Sequence, residues 1–193
     1  MTAHVSPLRL EIVSDTICPW CYIGKRRLDA ALAQAAPAGG VEVTWRAFEL
    51  DPTAPAVRDD GLTQAERLAA KYRRSAAEAE AMIANVTRIA AGDGLAFRID
   101  RSKSGNTFDA HRVVKLAATH GHATAAKERL FAAHFTEGQA LGDRATLAAL
   151  AAEVGLDAAE VTAMLASDRF AAEVRADQRE RWSARARTEV PPE

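Results

Sequence analysis

The hydrophobic periodicity of the chain changes once, and this change constrains the fold more than any other feature. Residues 8–14 (LRLEIVS) and 41–48 (VEVTWRAF) alternate apolar and polar side chains, which is typical of β-strands. Between them, residues 22–36 (YIGKRRLDAALAQAA) are rich in helix formers, with apolar side chains roughly on one face. A strand, a helix and a strand in this order predict a βαβ unit with parallel strands and a right-handed crossover.

From Thr63 to about residue 187 the pattern is helical almost throughout, with an irregular interruption at residues 95–105 (LAFRIDRSKSG). Capping boxes, in which Ser or Thr is followed three residues later by Glu, predict helix starts at Thr63 and Ser75. Further starts are predicted at Asn106 or Thr107, at Asp143 and at Asp157. The sequence therefore predicts an α/β protein whose 193 residues suffice for one domain with a large insertion.

Charge and hydropathy narrow the range of partners. The formal net charge of −1 gives no electrostatic reason to expect nucleic acid or an anionic membrane. No apolar run approaches the length that a membrane span needs. The first 15 residues lack the basic start and apolar run of a secretory signal, so we expect a cytoplasmic protein. In a reducing cytoplasm, a close pair of cysteines is catalytic or metal-binding more often than structural.

The stretch TICPWC, residues 16–21, holds both cysteines and lies between the first strand and the helix. Cys18 is therefore expected at the helix N-cap, where free backbone N–H groups and the helix dipole stabilise a thiolate. Pro19 suits the first helical turn, because its missing N–H has no partner there anyway. Cys21 lies on the same helix face and should be less exposed. This placement predicts Cys18 as the nucleophile and Cys21 as the resolving thiol.

Three alternative roles for the cysteine pair stay open at this point. A structural disulfide would close too short a loop to add much stability. Two buried, inert cysteines are a second possibility, although the position between a strand and a helix favours a reactive pair. A zinc site needs four ligands, and without a second cysteine pair it would depend on His111, His120, His122 and His134.

Five stretches that cover most of the chain form a specific combination. They are VSDTICPWCYIGKRRL (13–28), VTWRAFELDP (43–52), GLAFRIDRSKSGNTFDAHRVVKLA (94–117), KERLFAAHFTEGQALGDRATLAALAAEVGLD (127–157) and ASDRF (166–170). Together they resemble the DsbA-like branch of the thioredoxin superfamily, and most closely its FrnE-like members. This group borders on the 2-hydroxychromene-2-carboxylate isomerases and the kappa-class glutathione transferases.

The resemblance implies a thioredoxin-like fold that is split by a helical domain. Residues 7–50 would form the βαβ half, residues 61–167 the helical insertion, and residues 168–193 a return helix with the remnant of a loop. The resemblance also implies that Cys18 and Cys21 are the redox pair. Cysteine at both positions favours thiol–disulfide exchange, since the isomerase and transferase relatives typically have serine at the first.

Further residues are expected at the cleft beside the pair. Asn106, Thr107 and His111 match the family's motif in the helical domain that faces the active site. Helix capping alone would also explain Asn106 and Thr107, and a partly buried core histidine would explain His111. Pro19 and Trp20 separate the two cysteines, and an exposed Trp20 would contact an apolar substrate or cover the disulfide.

The end of the sequence departs from the family pattern. The family places a cis-proline opposite the cysteines, typically in a run such as TGVPFF, and continues with two strands and a last helix. Here TEVPPE reaches this loop with Val190 and Pro191, but Glu189 replaces the glycine and Pro192 replaces an aromatic residue. We therefore expect the C-terminal β-hairpin and the last helix to be missing, as in a truncated or frameshifted product.

The sequence thus predicts a cytoplasmic thiol–disulfide oxidoreductase that needs neither a metal nor a cofactor. Its expected partner is a disulfide-containing protein or a small thiol, with no nucleic acid or membrane involved, and its oligomeric state stays open. One alternative is a glutathione-dependent isomerase or transferase that acts on a small aromatic substrate, with glutathione as co-substrate. The other is an inactive, truncated relative.

Overall fold

A parallel βαβ unit opens the fold, as the sequence predicts. The structure is a computed structural model that describes residues 6–187, with side chains up to residue 180. Strand β1 (Leu8–Ser14) and strand β2 (Val41–Ala47) pair in parallel along their whole length. Helix α1 (Pro19–Ala35) connects them and begins inside the TICPWC stretch, directly after Cys18, as the predicted N-cap requires. Within residues 6–187 these two strands form the sheet.

Helices make up most of the remaining chain, and several begin where the sequence predicts. Thr63 and Ser75 start two of them with complete capping boxes. Asp143 and Asp157 accept backbone hydrogen bonds at two further starts. A single 3-10 turn, Ile99–Arg101, lies in the irregular stretch. The helices are α2 (Gln64–Tyr72), α3 (Ala76–Gly92), α4 (Phe108–Thr119), α5 (Ala123–Phe135), α6 (Arg144–Glu153), α7 (Ala158–Leu165) and α8 (Ala171–Arg187).

The larger hydrophobic core joins the sheet to the helices. Trp45 of β2 is buried in it, and its indole N–H donates to the Thr124 hydroxyl at 3.1 Å. Burial of one large apolar side chain contributes roughly 1.5–3 kcal/mol, so this core holds β2 firmly against α4 and α5. Its largest helical members are Leu116, Leu130, Leu147, Leu150, Met164 and Leu165.

A second core, with four stacked or tilted aromatic rings at its centre, holds α1 against α5. Tyr22 stacks on Phe131 with ring centroids 4.8 Å apart, and Phe97 stacks on Phe135 at 4.6 Å. Cys21 packs against this cluster from its partly buried side. Because Tyr22 directly follows Cys21, the stacked rings fix the helical turn that carries the cysteines.

A buried carboxylate ties α8 to the end of β2. Asp177 accepts hydrogen bonds from the Ala47 N–H at 2.8 Å and from Arg46 at 3.0 Å, and it pairs with Lys115 of α4 at 2.5 Å. Burial alone would raise the pKa of Asp177, but the Lys115 ammonium and the Ala47 N–H lower it. Its stabilising effect is therefore present at neutral pH and is lost as the pH falls through the lowered pKa.

We expect Asp177→Ala to lower the free energy of unfolding by about 3–5 kcal/mol, because removing one partner of a buried ion pair leaves the other unpaired. Urea unfolding followed by circular dichroism measures this loss. Asp59→Ala removes an exposed aspartate and serves as the matched control, with an expected change below about 0.5 kcal/mol. Equal losses in the two variants would contradict the role given to Asp177.

Candidate active site

The two cysteines lie at the start of α1, where the sequence places them. Cys18 is the N-cap residue, with extended backbone angles, and Pro19 occupies the first turn. The Cys18 carbonyl accepts hydrogen bonds from the backbone N–H of Cys21 at 3.0 Å and of Tyr22 at 3.3 Å. Both thiols are free and half-buried, although the sequence predicts that Cys21 is the less exposed.

The two thiols ionise as a coupled pair. A hydrogen bond from Cys18 is the main factor that lowers the pKa of Cys21 to about 7, and the backbone of Asp15 and the charge of Lys127 add to it. The same interaction raises the pKa of Cys18, together with burial and the negative charge on Cys21. The lower pKa thus belongs to Cys21 in this arrangement, whereas the helix N-cap alone predicts Cys18. One proton leaves the pair near neutral pH and the second is retained.

Asp15 is buried beneath the pair. Its carboxylate accepts hydrogen bonds from the Leu50 N–H at 2.6 Å and from the Ile17 N–H at 3.4 Å. Burial raises the pKa of Asp15, but the hydrogen bond and charge of His111 outweigh this and lower the pKa below its ordinary value. Asp15 lies in the loop after β1, yet only 1% of the residue is exposed.

His111 is buried next to Asp15 and does not line an open cleft. It is 2% exposed, and its Nε2 is 3.0 Å from the Phe48 carbonyl oxygen and 3.5 Å from Asp15 Oδ1. A carbonyl oxygen can only accept, so Nε2 carries the hydrogen. His111 therefore connects α4 to the end of β2 and to the carboxylate under the cysteines.

Asn106 and Thr107 lie further from the pair. The Asn106 side-chain oxygen accepts from the Phe108 N–H at 2.8 Å, so Asn106 caps α4 while Thr107 makes no side-chain cap. The Asn106 amide donates to Glu49 at 3.2 Å and to the Pro52 carbonyl at 3.3 Å. Asn106 thus reaches the cysteines only through the chain segment after β2.

A polar cavity of about 420 Å³ lies beside Asn106 and does not include either cysteine in its lining. Its walls come from the loop after β2, the start of α4 and the segment after α7. Arg144 and Asp109 in this wall form an ion pair at 2.8 Å. This cavity is therefore separate from the dithiol.

Two exposed apolar side chains lie on the segments that carry or support the pair. Trp20, between the cysteines, is 54% exposed, and Leu50, whose N–H binds Asp15, is 40% exposed. The exposure of Trp20 agrees with the sequence-based expectation.

Lys127 of α5 is a charged group near the pair that the sequence patterns alone do not single out. It is 0% exposed, and its Nζ is 3.4 Å from the Ser14 carbonyl oxygen. The rings of Phe131 and Trp45 flank the ammonium, with centroids 5.3 and 5.6 Å away. Burial lowers the pKa of Lys127 to about 8, against the raising effect of Asp15 and both cysteines. A signal was available, because Lys127 precedes the apolar Phe131 by one helical turn.

Two further kinds of site are absent from the described part of the chain. No three His, Cys, Asp or Glu side chains there are grouped so that they hold a metal ion. No helix between residues 6 and 187 is long and apolar enough to cross a membrane. The predicted cleft residues Val190 and Pro191 lie outside the described residues.

Comparisons with known proteins show which family this chain matches. The profile of the DSBA-like thioredoxin domain matches residues 9–187. A probable DsbA oxidoreductase from Streptomyces coelicolor has a TM-score of 0.83 at 41% identity, covering 92% of this chain and 76% of that one. The cytosolic disulfide reductase DsbM from Pseudomonas aeruginosa has a TM-score of 0.60 at 20% identity, covering 96% of this chain and 82% of that one. The uncharacterized YwbO of Bacillus subtilis is 29% identical over 166 residues, which are 86% of this chain and 72% of YwbO.

These matches confirm the predicted fold class, an α/β protein with a thioredoxin-like fold and a large helical part. The resemblance to the DsbA-like branch is confirmed as well. The division into residues 7–50, 61–167 and 168–193 stays a prediction.

We expect Cys18→Ala to raise the pKa of Cys21 above about 7, because the substitution removes the hydrogen-bond donor that stabilises its thiolate. Cys18→Ser is the matched control, since its hydroxyl can still donate and should keep the pKa lower. The pH dependence of thiolate absorbance at 240 nm measures both values. A Cys21 that ionises equally well in both variants would contradict the coupled pair.

Proposed function

This chain belongs to the family of DSBA-like thioredoxin domains, and we propose that it is a thiol–disulfide oxidoreductase whose redox pair is Cys18 and Cys21. The observation that carries the proposal is the pair itself. Two free, half-buried thiols lie together at a helix start, and one of them has a pKa of about 7. A thiol with a pKa near the ambient pH is the most effective attacking group in disulfide exchange.

The proposed reaction transfers two electrons between the dithiol and a substrate disulfide. The Cys18 thiolate attacks one substrate sulfur, the substrate S–S bond breaks, and a mixed disulfide forms while the released sulfur takes a proton. Cys21 then attacks the Cys18 sulfur, which expels the second substrate thiol and closes the disulfide between Cys18 and Cys21. The substrate is reduced to two thiols and the protein dithiol is oxidised. The reverse sequence oxidises a substrate dithiol.

The nucleophile is assigned to Cys18 because of its position at the helix start and because Cys21 packs against a core, since both thiols are half-buried and exposure does not distinguish them. Cys18 is the N-cap residue and precedes the exposed Trp20, whereas Cys21 packs against the cluster around Tyr22. The hydrogen bond between the two thiols allows a proton to pass from Cys18 to Cys21. The backbone N–H of Cys21 then stabilises the charge on Cys18. The lower pKa of Cys21 in the resting pair is therefore compatible with attack by Cys18.

The proposed substrates are disulfide-containing proteins or small thiols, in the cytoplasm. Exposed Trp20 and Leu50 support a partner with apolar side chains next to its disulfide. The alternative, a glutathione-dependent isomerase or transferase, receives less support. The first active-site position is cysteine rather than serine, and both donors of the Asn106 amide are engaged within the protein.

The test is the reduction of insulin in the presence of dithiothreitol. We expect turnover with the wild-type protein, loss of turnover in Cys18→Ser, and a trapped mixed disulfide in Cys21→Ser that mass spectrometry detects. Equal activity of the wild type and Cys18→Ser would refute the proposed function. A mixed disulfide trapped by Cys18→Ser instead would reverse the assigned roles.

A further inference from the structure

Lys127 takes no part in the proposed exchange reaction, yet it is the most deeply buried cation near the dithiol. We propose that Lys127 is a positioning residue for the redox pair: α5 carries its ammonium group to the end of β1, where it stabilises the thiolate against the Asp15 carboxylate. This inference rests on the proposed function in that the dithiol is taken as the redox centre.

The contacts of Lys127 are poor for a purely structural group. Its Nζ makes one long hydrogen bond, 3.4 Å, to the neutral Ser14 carbonyl and otherwise faces the rings of Trp45 and Phe131. Within the described residues, no carboxylate forms an ion pair with Lys127. Asp15 affects the Lys127 ammonium only through the electrostatic attraction of its negative charge. Burying an ammonium group without a counter-charge costs free energy of folding. Packing alone would therefore favour an apolar side chain of the same length. The ionised dithiol supplies the missing counter-charge.

Among the described side chains, the charges around the pair leave Lys127 as the cation available to it. Asp15, at the end of β1, raises the pKa of both thiols by its negative charge. Lys115 of α4 is already paired with Asp177. His134 of α5 is kept neutral at pH 7, because burial lowers its pKa to about 4. His111 of α4 directs its Nε2 hydrogen to Phe48 and lies 3.5 Å from Asp15, not toward the thiols.

Because Lys127 changes the pKa of the dithiol, ionisation of the dithiol must in turn change the pKa of Lys127. When the pair is a neutral disulfide, Lys127 loses its partner charge and more readily releases its proton. Reduction by a substrate dithiol adds two electrons and two protons. One proton stays between the two sulfurs and the other is held as the Lys127 ammonium. The redox state of the pair thus sets the charge of a side chain in the helical part.

The first test measures thiolate reactivity and does not depend on turnover. Reduced Lys127→Met is alkylated with iodoacetamide from pH 5 to 10, and the modified cysteine is quantified by mass spectrometry. A rise of one unit in the thiol pKa lowers the alkylation rate at pH 7 roughly fivefold. Lys103→Met, which removes an exposed lysine, is the matched control and should react like the wild type. An unchanged pH profile in Lys127→Met would overturn the proposal.

The double variant Asp15→Asn/Lys127→Met separates charge from structural damage. It removes both opposing charges, so the pH profile should return toward that of the wild type. A merely structural role of Lys127 predicts no such rescue, and failure to rescue in a folded double variant would overturn the proposal.

A second measurement is made on the wild-type protein, with Lys127→Arg needed only to identify a resonance, and covers the case that Lys127→Met does not fold. The pKa of Lys127 is followed by NMR of the ¹³C-labelled lysine ε-carbons in the reduced and oxidised wild-type protein. Lys127→Arg identifies the resonance. We expect a lower pKa in the disulfide form, and equal values in both forms would refute the coupling. Coupling without insulin turnover would instead contradict only the proposed function.

Discussion

The buried carboxylate of Asp15 is the contact on which the arrangement of the active site depends. It receives the N–H of Leu50 from the segment after β2, and His111 of α4 lies 3.5 Å from it. The backbone of the same residue binds Cys21. Because parallel strands end at one edge of the sheet, a single carboxylate can join both strand ends, the helical part and the cysteine turn. An unsatisfied carboxylate could not remain ionised at this depth.

The Asp15 carboxylate also disfavours ionisation of the two cysteine thiols. A fixed negative charge under a dithiol disfavours the thiolate, and the low dielectric of the interior strengthens the effect. The contacts with His111 and the Leu50 N–H keep Asp15 ionised, so the opposing charge must come from another group. The helical part supplies it through α5, whose stacked rings also fix α1. Helix α5 thus both holds α1 in place and supplies the positive charge that opposes Asp15.

The features that the sequence predicts correctly are those that depend on neighbours along the chain. The βαβ unit, the capping boxes at Thr63 and Ser75, and the position of Cys18 at an N-cap follow from local periodicity and capping. The buried state of Asp15 and the approach of Lys127 to Ser14 depend on tertiary packing between distant segments, so local patterns do not reveal them. The distribution of pKa values within the pair is missed for a related reason. The N-cap argument considers Cys18 by itself, while the hydrogen bond between the thiols changes the pKa of both.

The geometry of the pair also determines what a change of redox state can do to the protein. Two cysteines three residues apart in a first helical turn are close enough to form a disulfide without a large backbone movement. The stacked rings around Tyr22 further oppose any displacement of this turn. Oxidation therefore changes the charge at the site far more than its shape. A change of redox state therefore affects the interior of the protein through buried titratable groups. Lys127 is such a group, because its pKa of about 8 is close to neutrality.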